Sequence, residues 1–143
     1  MTDRLEIAAE ARRWLGTPYL HQASLPGAGS DCLGLVRGIW RGLHGAEPQD
    51  IPPYTQDWSE PQRDEILWRS CQRWLIEQPP EGEHVGDVLL FRMARHAVSK
   101  HLGIQVSVGD SPTFIHAYCK HGVVETRLTQ PWRIRVVARF SFP

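Results

Sequence analysis

Cys32 is the residue whose type and position point most directly to chemistry. It lies in the stretch "GSDCLGLVRG" (29–38), where a glycine-containing loop gives way to apolar residues at helical spacing. Ser30 or Asp31 can cap this helix, which places the thiol in its first turn. The helix dipole is positive there, so it favours a thiolate and lowers the pKa of a cysteine. The position predicts a nucleophile, although a cysteine that merely fills the apolar face would fit the same pattern.

A nucleophilic cysteine needs a base, and two histidines lie in strand patterns that could supply one. His101 precedes an alternating pattern in which every second residue from Leu102 to Val108 faces a core. It is therefore expected at the edge of the sheet, on the face away from that core. His116 lies in the next strand, and histidines on adjacent strands meet if the register fits. We expect His101 to be the base and His116 to orient it, with His96 as the rival base.

The remaining cysteines, Cys71 and Cys119, are interpreted as structural. Cys71 falls on the apolar stripe of a helix, and Cys119 follows a strand on the face opposite His116. The chain has three cysteines in all, widely spaced and without a C-x-x-C pair, so no disulfide framework is indicated. The same spacing gives no set of ligands for zinc, and neither a metal nor another cofactor is expected.

The elements that must position these residues change type along the chain. Helical patterns cover residues 3–15, 32–43 and 62–77, separated by a Gly/Pro/Ser loop at 21–30 and a Pro-rich connection at 45–61. Strand patterns follow at 86–91, 101–108, 113–118, 122–128 and 134–142. This order predicts an α+β fold with N-terminal helices packed on a C-terminal antiparallel sheet. The length of 143 residues suits one domain, residues 1–143.

Four stretches resemble motifs of the NlpC-type cell-wall cysteine peptidases, which are relatives of the papain-like enzymes. They are "GTPYLHQ…GSDCLGLV", "GDVLLF", "HLGIQVSVGDSPTFIHA" and "GVVETRL", in the family's order over nearly the whole chain. The resemblance implies the papain-like NlpC fold, with Cys32 as nucleophile, His101 as base and His116 as the orienting residue. Tyr19 corresponds to a family tyrosine near the thiol and the oxyanion site.

The resemblance also implies a substrate. NlpC-type enzymes cleave peptidoglycan stem peptides after D-Glu and before the diamino acid. The wording around the cysteine looks closest to peptidases encoded with phage and gene-transfer-agent tail proteins, which are the implied partners. Two departures leave substrate detail open: Leu33 follows the cysteine where many members have serine, and "LHQ" (20–22) replaces "WGG". An inactive structural component of a tail or envelope, and a thiol-dependent amidase or acyltransferase acting elsewhere, are the alternatives.

Charged residues near these motifs are candidate substrate contacts. Asp31 either caps the helix or binds a substrate amine. Arg92, Arg95 and Lys100 precede the strand of His101, where they form a solvated loop or attract the carboxylates of a stem peptide.

The charge balance and the apolar runs of the chain bear on the classes of protein that remain possible. The 16 basic and 16 acidic residues balance, so the basic excess of a nucleic-acid binder is missing. The apolar runs are too short to span a bilayer, and the first residues lack the apolar core of a secretory signal. We expect synthesis in the cytoplasm, with action at the cell wall after delivery by a tail particle or release by lysis.

Overall fold

The helices are short and lie mostly in the first half of the chain. A computed structural model describes residues 2–48, 54–56, 58 and 63–143. Its helices are α1 (Arg4–Arg12), α2 (Cys32–His44), α3 (Ile66–Trp74) and α4 (Gln130–Arg133). In the described residues, no helix has the length and apolar character needed to cross a membrane.

A six-stranded antiparallel sheet forms the second half. Its strands are β3 (Ile76–Gln78), β4 (Val88–Arg92), β5 (Ser99–Ser107), β6 (Thr113–Tyr118), β7 (Gly122–Arg127) and β8 (Val136–Ser141), in the order β3-β8-β4-β5-β6-β7. A separate two-stranded ladder joins β1 (Ser24–Leu25) to β2 (Gly29–Ser30). The predicted α+β architecture, with N-terminal helices against a C-terminal antiparallel sheet, is confirmed.

Local sequence explains the first two helices. Asp3 caps α1 by accepting a hydrogen bond from the backbone N–H of Leu5 at 2.8 Å. The apolar residues of α1 and α2 that recur at helical spacing are buried against the sheet. Gly45, with φ of 84°, ends α2 in a conformation that favours glycine. These contacts fix α2 against β5 and β6, the strands of the two predicted catalytic histidines.

Several predicted boundaries differ from the structure, and two of them have distinct causes. The third helix stops at Trp74, because Ile76–Gln78 pairs with β8 instead of continuing the helix to residue 77. Its predicted start at residue 62 lies outside the described residues, and residues 63–65 are not helical. The last strand begins at Val136 and not at residue 134, because Pro131 opens the short helix α4 just before it. At the end of α3 a contact with a distant part of the chain outweighs the local pattern, whereas before β8 a local proline determines the boundary.

The sheet is buried on both faces where His101 lies. One face packs against the helices, and the other carries a smaller apolar cluster that contains Leu89, Phe91 and Phe114. The strand of His101, β5, runs between β4 and β6. The prediction that His101 stands at the sheet edge is therefore wrong, because His101 lies inside the sheet and pairs with Phe91 of β4.

Candidate active site

Cys32 is the first residue of α2, and a close approach of two segments fixes it there. Asp31 caps the helix, with Oδ1 accepting from the N–H of Gly34 at 2.7 Å. A Cβ added at Gly34 would lie 1.9 Å from the carbonyl oxygen of Ala23, so only glycine lets the loop approach the helix this closely. The thiol of Cys32 donates to the carbonyl of Lys100, with Sγ and O 3.8 Å apart. The cysteine therefore lies against the start of the strand that carries His101.

Asp31 also organises the surroundings of the cysteine. Its Oδ2 accepts from the N–H of Gln22 at 2.7 Å and from the hydroxyl of Tyr54 at 2.5 Å. His21 Nδ1 is 3.7 Å from the same oxygen. Asp31 is only 2% exposed, and both of its carboxylate oxygens are occupied by donors of the chain itself. The geometry thus supports the capping role, and the contact with a substrate amine stays a prediction.

His101 and His116 are hydrogen-bonded to each other. Nε2 of His101 lies 2.7 Å from Nδ1 of His116, and Nε2 of His116 lies 2.9 Å from Oγ1 of Thr126. Gly103 makes room for the Phe114 ring beside this pair, because a Cβ at residue 103 would lie 2.8 Å from that ring. Since Nε2 of His101 is occupied, its Nδ1 is the nitrogen left to take a proton from a thiol.

Aromatic rings enclose the two histidines. His116 stacks on Tyr118, with centroids 5.1 Å apart, and lies 4.4 Å from the ring of Phe114. Trp132 of α4 packs edge-on against His116 at 5.1 Å and also reaches His101 at 6.1 Å. His116 is fully buried and His101 is 7% exposed. The enclosure holds both rings in place and keeps bulk water from their rear side.

Burial sets the protonation of the three central groups. It raises the pKa of the Cys32 thiol to about 12, with help from the Asp31 carboxylate and against the backbone N–H groups of Leu102, Leu33 and Cys32. It lowers the pKa of His101 to about 4. It also lowers the pKa of His116 to about 2, and the neighbouring His101 and His121 add to that shift. The prediction of a lowered thiol pKa is therefore wrong for the free protein, in which burial and the Asp31 carboxylate outweigh the backbone N–H groups.

A cleft of about 450 Å³ opens beside Cys32 and His101. Among the predicted site residues, it is lined by Tyr19, Asp31, Cys32, Lys100 and His101. Burial and the nearby Cys32, Asp31 and Cys119 raise the pKa of Tyr19 to about 12, so its hydroxyl remains a donor.

The other charged candidates lie elsewhere. Arg92 ends β4 and is half-buried, while Arg95 and His96 are exposed in the following turn. None of these three side chains is among the described residues that line the cleft, so only Lys100 of the three predicted cations reaches it. His96 is thus poorly placed to serve as the base.

Three features of the site were missed by sequence reasoning. Tyr54 and Trp58 of the Pro-rich connection stack with ring centroids 4.3 Å apart and line the cleft, whereas the sequence pattern predicts only a connection there. Trp132 covers the histidines from α4. Their aromatic character is the only signal in the sequence, since a polar linker would not need these rings. Cys119, interpreted as structural, is exposed and lines the cleft near Tyr19.

This arrangement suits acyl transfer. It joins a thiol, an imidazole with one nitrogen free of the pair, and the N-terminus of a helix, whose first backbone N–H groups can stabilise an oxyanion. Within the described part of the chain, no group of three or more His, Cys, Asp or Glu side chains could hold a metal ion.

Comparisons with solved structures place this fold among known proteins. It is similar to the NlpC/p60 domain of the peptidoglycan hydrolase SagA, with a TM-score of 0.67 and 21% identity over 99% of this chain and 100% of that one. A NlpC/p60 family protein from Bacillus cereus has a TM-score of 0.66 and 21% identity over 99% of this chain and 40% of that one. NlpC1 from Trichomonas vaginalis has a TM-score of 0.65 and 22% identity over 98% of this chain and 44% of that one.

The chain thus spans the whole of the SagA domain and less than half of the other two proteins. Comparison with models of protein families gives no match, and comparison with curated proteins gives none either. At these identities it is the three-dimensional similarity that carries the assignment. The chain has the fold of the NlpC/p60 domains, which confirms the fold that its sequence motifs imply.

Proposed function

We propose that this chain is a cysteine peptidase that hydrolyses a peptide bond in the stem of bacterial peptidoglycan. The observation that carries the proposal is that Cys32 and His101 line one open cleft, with His101 hydrogen-bonded from behind to the buried His116. The fold supports the choice of substrate, because one protein with a similar fold is a peptidoglycan hydrolase.

The geometry suggests the order of proton transfers. His101 takes the proton of the Cys32 thiol on Nδ1 as Sγ attacks the scissile carbonyl carbon. The carbonyl oxygen becomes an oxyanion that accepts from the backbone N–H of Cys32 and from the hydroxyl of Tyr19. When the C–N bond breaks, His101 returns its proton to the leaving amine, and a thioester remains on Cys32. Water, deprotonated by His101, then hydrolyses the thioester and regenerates the thiol.

The neutral resting state has a purpose in this scheme. A protonated thiol and a neutral imidazole carry no charge into the buried site before substrate arrives. The charged pair forms during attack, when the oxyanion donors and the bound substrate replace water around it. His116, itself neutral, accepts from Nε2–H of the charged His101.

We further propose that the bond cleaved joins D-Glu to the diamino acid. Lys100 gives the cleft a cation for a carboxylate of the stem. Tyr54 and Trp58 provide an aromatic wall against which the peptide can lie. Association with phage or gene-transfer-agent tail proteins, and delivery to the wall by a tail particle or by lysis, stay predictions.

Digestion of purified peptidoglycan by the native protein and by Cys32→Ala tests this function. Mass spectrometry should show a new amino group on the diamino acid with the native protein and none with the variant. Stems that begin at L-Ala would indicate an amidase instead. No new ends on any wall preparation, with a folded protein, would contradict the proposal and favour a structural role.

The pH dependence of turnover should reflect the buried base. His101 must be neutral to accept the thiol proton, and burial lowers its pKa from 6.5 to about 4. We therefore expect kcat/KM to be retained as the pH falls through 6.5 and to be lost as it falls through about 4. A pH profile, with circular dichroism at each pH to exclude unfolding, measures this limb. Loss of half the activity near pH 6.5 would show that His101 is not shielded from water in this way.

A further inference from the structure

Thr126 is the third residue of the hydrogen-bonded chain that begins at His101. The register of β6 and β7 pairs Phe114 with Thr126 and His116 with Val124, so Thr126 shares a face with His116 and lies diagonally from it. Its Oγ1 is 2.9 Å from Nε2 of His116, and the contact is part-buried. The sequence motifs give this threonine no role.

We propose that Thr126 is a positioning residue, which accepts a hydrogen bond from Nε2–H of His116 whenever His101 holds the proton of Cys32. The inference rests on the proposed function, because it concerns the same reaction and the same site. According to this inference, the reaction needs the hydroxyl of Thr126 in addition to the cysteine and the two histidines.

Counting protons shows when the hydroxyl is needed. With both histidines neutral, either ring can donate across the 2.7 Å contact, and Thr126 fits both arrangements because a hydroxyl donates or accepts. When His101 is protonated, both of its nitrogens carry hydrogen, so Nδ1 of His116 must accept. The proton of neutral His116 then lies on Nε2, and only an acceptor at position 126 can satisfy it.

The hydroxyl therefore stabilises the charged state more than the neutral one. Hydrogen bonds next to a charge are stronger than neutral ones and polarise one another along a chain. An N–H left without a partner in this partly buried position would oppose protonation of His101. Thr126 is not among the described residues that line the cleft, so its loss should leave substrate binding nearly unchanged.

Two substitutions isolate the hydroxyl. Thr126→Val keeps the size and the β-branched shape and removes the hydroxyl, whereas Thr126→Ser keeps the hydroxyl. Thr113→Val is the matched control, because it removes another strand hydroxyl, one bonded to Ser107 and Glu125 and not to a histidine. The melting temperature of each variant is measured first, and Thr126→Ala replaces the valine variant if that one does not fold.

The first measurement needs no wall substrate: the rate at which iodoacetamide alkylates Cys32 at pH 7, mapped by mass spectrometry. That rate follows the population in which His101 holds the thiol proton. We expect Thr126→Val to slow it about tenfold, Thr126→Ser to restore most of it and Thr113→Val to leave it unchanged. In a His101→Ala background, Thr126→Val should have no further effect.

The second measurement is turnover of stem peptides, where Thr126→Val should lower kcat about tenfold with KM within about twofold. A native alkylation rate in Thr126→Val, equal slowing by serine and valine, or the same slowing with and without His101 would each overturn the proposal. If the native protein cleaves no wall peptide, the alkylation series still decides the role of Thr126. If the wall is cleaved but Thr126→Val alkylates normally, only this inference fails.

Discussion

Replacing His101 by alanine should lower kcat on stem peptides by about a thousandfold, because the variant keeps the thiol but loses the group that takes its proton. The raised pKa of Cys32 makes the loss severe, since a thiol with a pKa of about 12 hardly ionises without a base at neutral pH. Steady-state kinetics of the native protein and of His101→Ala on the same purified stem peptide measures it. The melting temperature shows whether the variant is folded.

Two other histidines provide the comparison. His96→Ala should keep most of the activity, because His96 is exposed in the turn before β5 and does not line the cleft. His116→Ala should fall between the two, since His116 orients the base and leaves the proton transfer itself to His101. An inactive His96→Ala beside an active His101→Ala would show that the base has been assigned to the wrong strand.

Removing the Asp87 carboxylate should destabilise the protein by about 3–5 kcal/mol, because it leaves the buried guanidinium of Arg139 with only the more distant carboxylate of Glu83, 3.5 Å away. Asp87 is fully buried and Arg139 is 3% exposed. Nη1 of Arg139 lies 3.0 Å from Oδ2 of Asp87, and Nη1 of Arg4 lies 2.7 Å from Oδ1. The Asp87 carboxylate, just before β4, thus joins Arg4 of α1 to Arg139 of β8. Urea unfolding of Asp87→Ala and the native protein gives the difference in free energy.

An exposed ion pair supplies the control for this measurement. Nη2 of Arg69 lies 2.6 Å from Oδ1 of Asp64, but the side chains of Asp64 and Arg69 are 45% and 60% exposed. Asp64→Ala should therefore change the free energy of unfolding by no more than about 1 kcal/mol. If both alanine variants lose the same small free energy of unfolding, the buried contacts of Asp87 contribute no more to stability than an exposed ion pair does.

The fold can be predicted from residue patterns that repeat within one helix or one strand. The alternation through β5 and the helical spacing after Cys32 predict the strand and helix that hold two of the three central residues. The meeting of His101 and His116 could be anticipated only as a condition on register, because the bulge between Gln105 and Ser107 that sets the pairing of β5 with β6 has no local signature.

Features that depend on distant contacts could not be anticipated. The pairing of Ile76 with Ser141 decides where α3 ends, and nothing near residue 76 indicates it. The wall formed by Tyr54 and the cover formed by Trp132 come from segments far from Cys32 in sequence. The same holds for the thiol pKa: the helix terminus is visible in the sequence, whereas burial and the fixed Asp31 carboxylate are visible only in the folded chain.

The position of β8 has a consequence for folding during synthesis. β8 lies between β3 and β4, both of which leave the ribosome before it, and pairs with each of them. Until β8 emerges, one side of β4 and the side of β3 that β8 will cover are unpaired edges, which invite association with other chains. A nascent chain stopped after β7 would already contain Cys32, His101 and His116 but could not complete its sheet. Ribosome-bound chains of increasing length should therefore gain protease resistance abruptly, once β8 is free to insert.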